Sequence, residues 1–339
     1  MTTAAPQPPQ APQAPESDRP RDVAAAPAAP RSSQDAKPKA RVGDRVFSGL
    51  SRGSGTLILV ILAAVALFLI VQSIPALTAP PAEISGGGGF WAYVGPLMFG
   101  TVYAAALAMA MAVPVAIGIA LFISHYAPRR LAQGLGYIID LLAAVPSVVF
   151  GLWGITVLAR FLQPFYAFLT DAFGWFPLFA GPVSGTGRTI FTVAVVLAVM
   201  ILPIVTALSR EVFLQTPKLH EEAALALGAT RWEMIQTAVL PFGRPGIISA
   251  AMLGLGRALG ETMAVAIVLS PAAVVNFAWF QSTNSNTIAA NIALSFPEAY
   301  GLKINELIAS GLMLFVITLA VNMLARYIIS RRKAFSGAN

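Results

Sequence analysis

Long apolar runs alternate with shorter polar stretches along most of this chain, and the runs have helical length. They cover residues 57–74, 94–123, 135–158, 190–208, 247–269 and 307–329. A helix rises ~1.5 Å per residue, so about 20 apolar residues cross the ~30 Å hydrocarbon core of a bilayer. Barrel strands would instead alternate in polarity over segments of about ten residues, and no such alternation is sustained here. The pattern predicts an all-α polytopic membrane protein with six transmembrane helices. The second run is longer than a crossing requires. Pro114 within it offers a kink, with tilt and an interfacial extension as equal alternatives.

A further stretch, 161–180, is nearly apolar and competes as a seventh crossing. Pro164 and Pro177 interrupt it, and Gly174-Trp175-Phe176 reads as an interfacial aromatic cluster. The basic residues decide the count. Arg41, Arg45 and Arg52 precede the first run, and Arg129 and Arg130 follow the second. Arg210, Lys218, Arg231 and Arg244 lie between the fourth and fifth, and Arg326, Arg331, Arg332 and Lys333 close the chain. The intervening loop 78–93 has no Lys or Arg, and 271–306 has only Lys303. Lys and Arg concentrate in cytoplasmic loops, so six crossings put both termini and the 210–246 loop in the cytoplasm. A seventh would turn that basic loop outward. Residues 161–188 are therefore expected as an external, partly embedded loop. It is either a docking place for a soluble delivery protein or a lid of packed aromatics.

Composition agrees with this reading. Of 339 residues, 57% are hydrophobic and 11% charged, against about 25% charged in soluble domains. The mean hydropathy is +0.73. The net charge of +7 follows from topology, since the basic residues flank the apolar runs, and no nucleic acid is expected as a partner. The chain has no Cys, which removes disulfides, thiolate metal sites and a cysteine nucleophile. Residues 1–52 read as a disordered cytoplasmic tail rich in Pro and Ala, too poor in apolar residues to offset the entropy of ordering. The first transmembrane helix is expected over 53–78, the main transmembrane domain over 94–330, and a cytoplasmic tail over 331–339.

Two clusters carry chemistry. In the basic loop, Pro217 suits a first helical turn, and Glu221 and Glu222 follow, complementing the positive end of the helix dipole. Ala223, Ala224 and Ala226 permit close approach of another surface. Gly228 is placed to stop the helix in a left-handed conformation. Thr230 with Glu233 three residues on has the spacing of a capping box. Trp232, Ile235 and Leu240 then form an apolar surface that Pro241 ends. The expected product is a rigid knob of two short helices and a turn.

The second cluster is Gly254-Leu255-Gly256-Arg257-Ala258-Leu259-Gly260-Glu261-Thr262 within the fifth run. Arg257 and Glu261 are four apart and share a face of a continuous helix. Arg257 falls roughly 16 Å past Gly246, near mid-bilayer, at ~1.5 Å per residue. A charge there costs from ~3 to over ~10 kcal/mol, which makes function the default reading. A guanidinium suits a tetrahedral oxyanion, to which its planar fork donates paired hydrogen bonds. Glu261 is expected to hold it when no anion is bound. The rival reading is an intrahelical salt bridge that only fixes packing. In the third run, Val145-Pro146-Ser147-Val148-Val149-Phe150-Gly151 contains a proline that frees a backbone carbonyl and a hydroxyl that can line a path. A packing kink is an equal alternative.

The basic loop resembles the segment by which permeases of bacterial ABC importers grip their ATPase subunits. The pattern is Glu-Ala-Ala, three residues, Gly, nine residues and Ile-x-Leu-Pro. It is matched at Glu222, Ala223, Ala224, Gly228, Leu240 and Pro241, with Ala238 where Ile is usual. The run Gly256-Arg257-Ala258-Leu259-Gly260-Glu261-Thr262-Met263-Ala264-Val265 is similar to the signature of phosphate-specific importer permeases of the PstC type, and Pro146-Ser147 to Gly151 resembles their Pro-Ser-x-x-x-Gly run. The resemblance spans roughly 94–329.

It implies a type I ABC importer permease fold in a bacterial plasma membrane and a path for inorganic phosphate. Arg257, Glu261, Thr262 and Ser147 would lie on that path. Glu222, Ala223, Ala224 and Gly228 would couple it to the ATPase. Implied partners are a PstA-like permease, two copies of a PstB-like ATPase and a PstS-like phosphate-binding protein. No phosphate-loop motif occurs in this sequence, so the chain is expected to be non-catalytic and to bind no cofactor, with ATP and Mg on the partner ATPase. The alternatives are another oxyanion, such as sulfate or molybdate, or an ion-coupled secondary transporter.

Overall fold

Helices long and apolar enough to cross a bilayer number six among the described residues, which are 42–333 of a computed structural model. The expected tails at 1–41 and 334–339 lie outside them. Residues 42–52, also expected as tail, are helical, and so are 331–333. The chain divides into two units at Ile58 and Leu59, and both chemical clusters of the sequence belong to the second.

The first long helix, α1 (Val42–Thr78), leads to α2 (Phe90–Leu121), which runs through Pro96 and Pro114. A π-helical turn, Phe122–Tyr126, closes α2. The expected third crossing at 135–158 is corrected. Its first part belongs to a separate amphipathic helix, α3 (Arg129–Ala143). The crossing itself is Ser147–Phe173, made of α4 (Ser147–Trp153), a π turn and α5 (Ala159–Phe173). Pro146 is the reason. It bars helical geometry from Val145 before it and starts a helix after it, so the chain breaks where a kink was expected. Pro164, read as an interruption, sits inside α5. A transmembrane helix tolerates such a proline when local adjustments absorb the missing bond. Of the expected external loop 161–188, residues 161–173 thus complete the third crossing. The number of crossings stays at six.

The fourth crossing, α6 (Ile190–Leu214), is the most buried of the six and forms the centre of the bundle. Ala104, Ala105, Ala108 and Ala112 of α2 pack against Val193, Leu197, Met200 and Ile201 of α6. Helices in lipid gain little from the hydrophobic effect, so small side chains that let backbones approach carry the packing. Next come α7 (Lys218–Ala226), α8 (Arg231–Met234) and α9 (Leu240–Gly260). After α10 (Met263–Val268), a two-residue strand β1 (Pro271–Ala272) pairs in parallel with β2 (Asn284–Ser285). The chain continues through α11 (Ile288–Ser295) to the sixth crossing in α12 (Leu302–Lys333).

Aromatic residues pack around the loop between β1 and β2. The Tyr166 and Phe280 rings stack at 4.5 Å, Phe191 and Trp279 at 5.4 Å, and Trp279 Nε1 donates to Tyr103 Oη at 2.7 Å. The end of β2 and the residue after it rest on α2 at Gly100. A Cβ there would meet the Asn286 carbonyl, and the Ser285 carbonyl at 2.8 Å. Next door, Thr101 Oγ1 accepts the Ile288 N–H at 2.9 Å. Gly100→Ala is therefore expected to cost about 1–3 kcal/mol through overpacking. A thermal-shift measurement on the purified complex checks it, and an unchanged midpoint would contradict this contact.

Candidate functional site

The two clusters of the sequence occupy separate places, joined by one helix. At the loop between the fourth and fifth crossings, Pro217 stands at the N-cap of α7. Gly228 adopts φ +87° and ends the helix, and the Ala229 N–H returns to the Ala224 carbonyl at 3.2 Å. The capping box forms as expected: Thr230 N–H donates to Glu233 Oε2 at 2.8 Å, and Glu233 N–H to Thr230 Oγ1 at 3.3 Å.

The second helix of the knob differs from expectation. Pro241 does not end it. The π turn Ile235–Val239 links α8 to α9, and Pro241 sits at the start of α9, where its missing N–H is accommodated. One helical run therefore extends from Arg231 to Gly260. A push on the knob is a push on the fifth crossing.

The face of the knob follows from burial. Ile235, expected at the surface, is fully buried beside Phe213 and Leu121, and Ala224 packs onto that cluster. Glu222 and Ala223 are exposed. So are Leu219, Trp232 and Leu227, the last at 91%. Exposed apolar side chains grouped around a rigid turn mark an interaction surface.

A fastening that sequence reasoning missed holds α7 in place. His125 Nε2 lies 3.6 Å from Glu221 Oε1, and His125 Nδ1 is 2.7 Å from Ser124 Oγ. This ties the knob to the turn after α2, nearly a hundred residues earlier, a separation no local pattern reveals. Glu221→Ala is expected to speed amide exchange in 218–226 about threefold, the effect of roughly 0.5–1 kcal/mol from a partly buried pair. Unchanged exchange would remove this fastening from the account.

The fifth crossing is broken. Glu261 is extended, with ψ 125°, between α9 and α10. Arg257 and Glu261 therefore do not share a continuous helix, and the expected ion pair between them does not form. His125–Glu221 is the ion pair present among the described residues. Glu261 is buried, and its Oε1 accepts the Ala264 N–H at 3.1 Å, which places its charge at the N-terminus of α10. Thr262 Oγ1 donates to the Gly260 carbonyl at 3.1 Å. At the other end of α10, Arg188 donates to the carbonyls of Ile267, Val268 and Leu269 at 3.4, 3.4 and 3.0 Å. The half-helix is thus held by an acid at its start and a base at its end. Nothing in the sequence distinguishes Arg188 from other loop arginines.

Ser147 is the first residue of α4, behind Pro146 at the N-cap. That helix packs on α10. Gly151 makes the approach possible, because a Cβ there would meet Ala264 Cα at 2.9 Å. The Pro-Ser-x-x-x-Gly run therefore seats the start of the third crossing against the broken helix.

Arg257 is half-buried, and its Nε is buried without a hydrogen-bond partner. A buried donor left unmet is costly. Arg257 lines an open cavity of about 540 Å³ together with Ser249, Asn322, Ile204, Met252 and Leu253. Ser147, Glu261 and Thr262 are not in this lining. They stand at the break and at the helix packed on it.

Residues 112–334 match the family described as binding-protein-dependent transport system inner membrane component. The phosphate transport system permease protein PstC 2 of Mycobacterium tuberculosis is 47% identical over 300 residues, covering 85% of this chain and 92% of that protein. The phosphate transport system permease protein PstC of Mesorhizobium japonicum is 39% identical, covering 91% of this chain and 97% of the relative. In fold, the chain resembles a subunit from the crystal structure of a bacterial alginate ABC transporter in complex with an alginate pentasaccharide-bound periplasmic protein. The TM-score is 0.54 at 17% identity, over 87% of this chain and 100% of that one. With six crossings and the broken fifth helix in place, the chain belongs to the binding-protein-dependent transport system inner membrane components, as a permease of the PstC type.

Proposed function

We propose that this chain is the permease subunit of an ATP-driven importer of inorganic phosphate, and that Arg257 meets the anion in transit. The unmet Arg257 Nε, on a residue that lines an open cavity, carries this reading. An unpaired cation there suits a tetrahedral anion, which supplies the hydrogen bonds the chain withholds. The relatives' names support phosphate as the cargo.

The remaining parts follow from how work must enter. The exposed face around Glu222, Ala223, Leu227 and Trp232 receives a PstB-like ATPase, two copies of which serve this chain and a PstA-like permease. ATP and Mg reside on the ATPase, and a PstS-like phosphate-binding protein delivers the anion on the opposite side. Both termini and the knob face the cytoplasm of a bacterial cell, a reading that the distribution of Lys and Arg supports. Closure of the ATPases moves the knob, and the helical run 231–260 carries that motion to Arg257.

The test is reconstitution. Phosphate-dependent ATP hydrolysis is expected from the four-part complex and none from this chain alone. Stoichiometric turnover by the purified chain would refute the division of labour.

A further inference from the structure

The cavity does not end at Arg257. Ser249, Met252, Leu253, Gly256 and Arg257 lie along one face of α9, and the helical rise from Ser249 to Arg257 makes a track of ~12 Å. That length exceeds one small oxyanion, so an ion leaving Arg257 meets other groups before it clears the track. Two polar side chains stand there.

Ser249 Oγ donates its proton to the Pro245 carbonyl at 2.9 Å, and its oxygen keeps lone pairs free to accept. Asn322 comes from α12 and makes no hydrogen bond among the described residues, although it lies in an otherwise apolar stretch of a crossing. Its amide is exposed and free to meet a solute in the cavity. Between them, these groups offer one donor side and two acceptors.

We infer that Asn322 and Ser249 form a second station on the path, and that it accepts oxyanions which carry a proton. The inference rests on the reading that Arg257 faces the transported anion. An arginine donates only, and so it holds phosphate and sulfate alike. At neutral pH a phosphate or arsenate ion still bears at least one O–H, whereas sulfate bears none. The Ser249 oxygen and the Asn322 carbonyl can take that proton. Toward sulfate the Ser249 oxygen stays unmet, and only the Asn322 amide N–H groups can donate. A site built to receive an O–H disfavours the analogue that lacks it, since its acceptors are then left unmet beside a negative charge.

The natural absence of Cys supplies the assay. Leu253→Cys places one thiol on this chain inside the cavity, and its alkylation is followed in the full complex in nanodiscs without the binding protein. Phosphate and arsenate are expected to slow labelling at concentrations about tenfold lower than sulfate, the scale of one hydrogen bond to an ion. Asn322→Leu, and separately Ser249→Ala, should raise the phosphate requirement to that of sulfate. Ser249→Ala keeps the test alive if Asn322→Leu disturbs assembly.

Equal protection by sulfate and phosphate in the Leu253→Cys complex overturns the station, and so does discrimination unchanged in both variants. Arg257→Gln separates this inference from its premise. Protection by every anion should be lost with it, and protection that persists there removes Arg257 while leaving the station to its own variants.

Discussion

Arg257→Gln is expected to lower phosphate uptake by the reconstituted transporter at least about a hundredfold, with the complex still assembled. The size follows from charge-assisted hydrogen bonding to the anion, where loss of one ionic donor costs up to about 3 kcal/mol. Assembly should survive because, among the described residues, Arg257 makes no ion pair and no hydrogen bond from its Nε. Gln keeps a donor and most of the volume, so the variant removes charge more than shape. Transport assays paired with size-exclusion of the complex read both quantities. Uptake near the unaltered rate would remove Arg257 from the path. Loss of assembly would show that Arg257 serves packing, the role that the absent Glu261 contact argues against.

Gly228→Val should uncouple the transporter. At φ +87° a β-branched residue is forced into backbone space that L-residues avoid, at about 1–2 kcal/mol. No atom lies within 4 Å of a Cβ built there, so the penalty is conformational and does not come from a clash. The turn relaxes by swinging α7 away from α8, and the exposed face with Leu227 and Trp232 is disrupted. ATP hydrolysis is expected to continue while phosphate moved per ATP falls about tenfold. Gly228→Asn, which tolerates the left-handed region better, should recover most of the loss. Equal coupling in the Val variant would contradict a rigid turn, and a defect as deep in Asn as in Val would point to side-chain volume instead.

Features set by local chemistry were legible in the sequence. The stop at Gly228, the cap at Thr230 and Glu233, and five of the six crossings follow from propensity, spacing and apolar length. The third crossing was misplaced because Pro146 and Pro164 carry the same local signal. Only packing decides which proline begins a helix and which is absorbed inside one. The same limit explains Glu261. A four-residue spacing puts two side chains on one face only while the helix continues, and the break after Gly260 comes from packing by α4, acid at the start of α10 and Arg188 at its end. His125 and Arg188 act across long stretches of sequence, so their partners emerge only from the tertiary arrangement.

Radiolabelled phosphate uptake into proteoliposomes, with this chain, its partner permease, the ATPase and the binding protein all present, tests the central claim most directly. Accumulation should require ATP inside the coupling compartment, withstand an uncoupler and vanish with Arg257→Gln. Accumulation that needs no ATP and collapses with the uncoupler would mean that an ion gradient, rather than a nucleotide-driven push on the knob, moves the anion past Arg257.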